Sequence, residues 1–80
     1  MIEKSLRKEI RKWSKKLDSA LQAVDPLTDR GLKLLENIRA YREDSKHFME
    51  KRDWIKSFEC LVWAWAVLEI GKELGHLKSN

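Results

Sequence analysis

Eighty residues contain one cysteine, one proline and three glycines. Cys60 therefore has no partner for an internal disulfide, and a zinc site built from cysteine pairs is excluded. A reducing, cytoplasmic setting is the simplest expectation for such a chain. So little glycine and proline argues against a loop-rich chain, and 42% hydrophobic content argues against a disordered tail. The longest apolar run, Cys60 to Leu68, is far short of the ~20 residues that cross a bilayer, so no membrane partner is expected. The opening stretch MIEKSLRKEIRKW is charged throughout and does not read as a signal peptide. Alternation at period two is missing, as is any Asn-Gly hairpin signal, so no strand is expected.

The formal charge of +4 is mild, but it is unevenly placed. Residues 1–24 carry seven Lys or Arg against three acids, and the rest of the chain is nearly balanced. In that first segment Ile2, Leu6, Ile10, Trp13, Leu17, Leu21 and Val24 recur at spacings of three and four, the mark of one helical face. Lys8, Arg11, Lys12 and Lys15 fall on the opposite side. Asp25-Pro26 breaks the pattern, because proline has no N–H and its ring clashes with the preceding turn. A second helix then runs over about 27–51, capped by Asp25 or Thr28. Leu27, Leu34, Leu35, Ile38, Tyr41, Phe48 and Met49 share its apolar face, where Gly31 and Ser45 would let another helix come close. Asp53 is a good N-cap for a third helix over about 54–74, ending near Gly75. The expected architecture is an all-α, antiparallel three-helix bundle with helices at about 2–24, 27–51 and 54–74, forming a single domain over 1–80. A chain this short buries only roughly 60% of its unfolded surface, so regular packing or a partner must support it.

The third helix is apolar or small over about two-thirds of its circumference, at ~100° per residue. Trp54, Phe58, Leu61, Trp65 and Leu68 form one flank, and Trp63, Val67, Ile70 and Leu74 the other. Between them runs a strip of small residues, Ser57, Cys60, Ala64 and Gly71. Glu59, Glu69 and Glu73 occupy the remaining third, interrupted by Ile55, Val62 and Ala66. Two neighbouring helices need about half of a circumference, so one edge is left over, around Trp63 and Ile70 or around Trp54 and Trp65.

The stretch YREDSKHFMEKRDWIKSFECLVWAWAVLEIGKELG, from Tyr41 to Gly75, resembles the archaeal domain-of-unknown-function family numbered 357. Tyr41, Asp44, Phe48, Asp53, Glu69, Gly71 and Leu74-Gly75 carry the likeness, joined by PLTDRGLKLLE from Pro26 to Glu36. The resemblance covers about residues 26 to 77. It departs at Arg52, where the family often carries glycine. It implies a compact three-helix protein and no enzymatic activity.

Several catalytic or ligand-binding patterns can be weighed directly. Arg42 and His47 have the Arg-x4-His spacing of all-α HEPN ribonucleases, but the two lie roughly 140° apart on a helix. Glu43 and His47 could supply half a metal site, but a di-metal bundle needs a second such pair. Glu69 sits at the border of the apolar arc, where its carboxylate must reach water or a donor. Cys60 reads as a buried space-filler. No nucleophile–base pair or glycine-rich phosphate loop is visible, so neither enzymatic activity, a small-molecule substrate, a cofactor nor a metal is expected. Two functions remain. The first is a protein-interaction or self-associating module, such as a homodimer, using Trp54, Trp63, Trp65 and Ile70. The alternative is a small RNA- or DNA-binding accessory protein using Lys8, Arg11, Lys12 and Lys15, whose regular spacing can follow phosphates.

Overall fold

In a computed structural model, which describes residues 2–80, three helices account for most of the chain: α1 (Ile2–Gln22), α2 (Asp29–Glu50) and α3 (Trp54–Glu73). They run alternately up and down. Asp18 of α1 meets Arg42 of α2, Ser45 of α2 meets Ser57 of α3, and Glu3 of α1 meets Trp54 of α3. The long axis is 42 Å and the two short axes 18 and 17 Å, the shape of three helices side by side.

Ile10 and Leu17 from α1, Leu35 and Ile38 from α2, and Leu61, Ala64 and Leu68 from α3 are buried together. Helices α2 and α3 touch where their small residues meet, at Ser45 and Ser57. The Ser45 hydroxyl donates to the Ser57 carbonyl, and the Ser57 hydroxyl donates to the Ser45 carbonyl, at 2.9 and 2.8 Å. Both serines are fully buried, and this reciprocal pair satisfies their polar groups without water. The α1 stripe is buried at Ile10 and Leu17 and exposed at Ile2, and Trp13 lies along its border.

The expectation of no strand is wrong. Val24–Pro26 (β1) pairs antiparallel with Leu77–Ser79 (β2), Asp25 opposite Lys78. Period-two patterning needs more than three residues to show, and Val24 also continues the three-and-four spacing of α1. Helix α1 stops at Gln22, and α2 begins at Asp29 with Thr28 as cap, its hydroxyl accepting from the Gly31 N–H at 2.9 Å. Leu27 is therefore exposed and outside α2. Gly31 does admit a close approach, but by the returning C-terminal segment: a Cβ there would overlap the His76 carbonyl oxygen. Leu77 fills the space over Gly71, so the tail closes the end of the core.

The two sharp helix ends share one device. After α3, the His76 N–H bonds the Gly71 carbonyl and the Gly75 N–H bonds the Lys72 carbonyl, with Gly75 at φ 81°. This is a Schellman motif, which requires a left-handed residue just past the cap. After α2, the Asp53 N–H bonds the Phe48 carbonyl and the Arg52 N–H bonds the Met49 carbonyl, with Arg52 at φ 61°. Arginine therefore occupies a position that glycine fills at lower cost. Asp53 then caps α3 at once, its carboxylate accepting from the Lys56 N–H.

Candidate interaction surface

Helix α3 presents two different apolar faces. Its inner face, Ser57, Leu61, Ala64, Leu68 and Gly71, is buried. Its outer face carries Trp63, 59% exposed, and Ile70, 53% exposed, and Ile55, Val62 and Leu74 are also more than half exposed. Of the Trp63, Val67, Ile70 and Leu74 flank, Val67 packs against the core and the other three point outward. Ile55 and Val62, which interrupt the glutamates of the remaining third, join Trp63 and Ile70 in one apolar stripe with Glu59, Glu69 and Glu73 set into it. The Glu69 carboxylate reaches water and pairs with Lys72 at 3.2 Å.

The other tryptophans are used within the bundle. Trp54 lies under the Arg7 guanidinium, 4.9 Å from the ring centre, and its indole N–H donates to Glu3 at 2.9 Å. Trp65 meets Trp13 edge to face at 5.8 Å, and its N–H points at the Trp13 carbonyl. The Trp13 N–H donates to Glu9. Among the described residues, Trp63 is the one indole with no hydrogen-bond partner and no aromatic or cationic neighbour. The four candidate interface residues therefore divide: Trp54 and Trp65 face α1, and Trp63 and Ile70 face outward.

The basic residues of α1 also divide. Arg11, Lys12 and Lys15 border a groove of about 470 Å³ between α1 and α2, joined from α2 by Lys46. Lys8 is exposed outside it. Ile10, Ser14, Ser45 and Met49 line the groove. It was not legible in the sequence, because it depends on how far α1 and α2 splay. At its end the Arg42 guanidinium holds Asp18 through two hydrogen bonds, at 2.7 and 3.1 Å. That hydrogen bonding keeps the Asp18 carboxyl below its ordinary range, against the opposing effect of burial, and the charges of Arg42 and Lys46 add to it.

Arg42 is thus occupied by Asp18, and the exposed His47 packs against Phe48, so the Arg-x4-His pair does not converge. Cys60 is half-buried, where full burial was expected. Burial, then Asp44 and Glu59, push its thiol pKa up, which disfavours the nucleophilic thiolate. No group of three His, Cys, Asp or Glu among the described residues could hold a metal ion. No helix among them is long and apolar enough to cross a membrane.

The family model of proteins of unknown function, DUF357, matches residues 12–77, reaching back into α1 beyond the stretch that carried the resemblance. No curated protein matches. The crystal structure of a DUF357 protein from Archaeoglobus fulgidus is similar over 100% of both chains, at 41% identity and a TM-score of 0.89. With two-fifths of its residues shared along its whole length and the family model matching all of α2 and α3 and the second half of α1, the chain belongs to the DUF357 family.

Proposed function

We propose that the protein is a non-catalytic interaction module whose working surface is the outer face of α3. One observation carries this reading: Trp63 and Ile70 stand more than half exposed at the centre of an apolar stripe on a helix whose opposite face already holds the core. Monomers rarely leave a contiguous apolar patch in water, and tryptophan is enriched at the energetic centres of protein interfaces. The nucleic-acid alternative has less support. The ammonium groups of Lys12 and Lys16 lie 5.7 and 4.6 Å from the Trp13 ring centre, over the aromatic surface on which a base would have to stack. Sedimentation over a concentration series, roughly 10 μM to 1 mM, tests the proposal. The average mass should rise with concentration, and Trp63→Ala should weaken the rise at least tenfold, where Trp54→Ala leaves it in place. A chain that stays monomeric throughout, or a Trp63→Ala variant that associates like the parent, overturns it.

A further inference from the structure

We infer that the partner of the α3 outer face is the α1–α2 groove of a second copy, so that the chains join head to tail. This rests on the reading of α3 as an interaction surface and names what it binds. The two surfaces are complementary in chemistry. The outer face is apolar with three carboxylates, Glu59, Glu69 and Glu73, of which Glu69 already pairs with Lys72, and one cation, Lys56, at its edge on the Leu74 side. The groove has Ile10 and Met49 inside and four exposed cations, Arg11, Lys12, Lys15 and Lys46, at its rim. Pairing the outer face with itself about a two-fold axis would instead bring like carboxylates together, which is unfavourable.

The dimensions also agree. On α1 the groove runs from Ile10 to Asp18, about 12 Å at 1.5 Å per residue, and Trp63 to Ile70 spans about 10 Å. Within one chain the surfaces cannot meet. Ser57, which touches the groove-lining Ser45, is half a revolution from Ala66 at the middle of the outer face, at ~100° per residue. Contact must therefore be made in trans, between two different patches. Such a heterologous contact closes into a ring or continues as an open chain.

Two variants and their mixture test this in sedimentation at ~50 mM salt, with helix content checked by circular dichroism. Lys12→Glu/Lys15→Glu reverses the groove rim, and Trp63→Ser/Ile70→Ser blunts the outer face; all four sites are exposed. The parent chain should form species larger than a dimer as concentration rises. Each variant alone should associate at least tenfold more weakly. Their equimolar mixture should give a 1:1 complex that grows no further, since one chain supplies only the face and the other only the groove. If the lysine-reversed chain self-associates like the parent, the groove is not the partner; the inference then falls and the reading of α3 stands. If the Trp63→Ser/Ile70→Ser chain self-associates like the parent, or the parent chain stays monomeric, both fall.

Discussion

The two sides of α3 have similar hydrophobic content and opposite roles. Inward, Leu61, Ala64 and Leu68 are excluded from water, with Ser57 and Gly71 setting the distance to α2 and to Leu77. Outward, Ile55, Val62, Trp63 and Ile70 stand in solvent. Hydrophobicity alone does not separate them. The small residues do, because a helix can be approached closely only along its small strip, and that strip decides which side becomes core.

The largest expected effect lies on the inner side of α3. Leu61→Ala should lower stability by about 2–5 kcal/mol, as lost burial and a residual cavity add together. Chemical denaturation measures this, and a loss below about 1 kcal/mol would show that Leu61 is not central. The next effect lies at the end of the core. Gly31→Ala forces the β2 segment away from α2 and should cost about 1–3 kcal/mol. Hydrogen exchange should then show the Leu27 amide, bonded to the His76 carbonyl at 2.8 Å, opening faster.

Arg52→Gly is expected to stabilise by about 1 kcal/mol, because glycine adopts the left-handed φ without a Cβ penalty. In a domain of this size that corresponds to a rise of about 4–8 °C in Tm. The smallest effect is at the groove. Asp18→Asn should cost less than about 1 kcal/mol, since half of the carboxylate is exposed and solvent screens the pair. Its folded pKa is depressed, so the contribution is complete above the ordinary aspartate range and is lost as pH falls below it. A denaturation series from pH 6 to 2 should show that acid-side slope reduced in the variant.

How much of this was legible in the sequence follows from the length of each signal. Three helices repeat their pattern over 20 or more residues, so their number and order could be read from spacing alone. The Asp53 cap and the Gly75 stop were also readable, because each chemistry acts within three or four residues. The strand pair was not. Val24 and Ser79 pair across 55 residues, and each strand is too short to carry a period. At the candidate surface, the surplus of apolar residues on α3 could be counted. Which edge it occupied depended on α1 taking Trp54 and Trp65, a matter of packing. The groove was invisible for the same reason, although three of its four rim cations were already in view as a basic stripe.

On this reading the inner face of α3 and its α1-facing flank hold the fold, and Trp63 and Ile70 on the outer face contribute little to it. The sharpest test is denaturation of the Trp63→Ser/Ile70→Ser variant at low micromolar concentration, below the range in which association is expected. Unfolding free energy within about 0.5 kcal/mol per site of the parent chain is the expected result, as for surface substitutions generally. A loss approaching that of Leu61→Ala would contradict the account, because the outer face would then be part of the core.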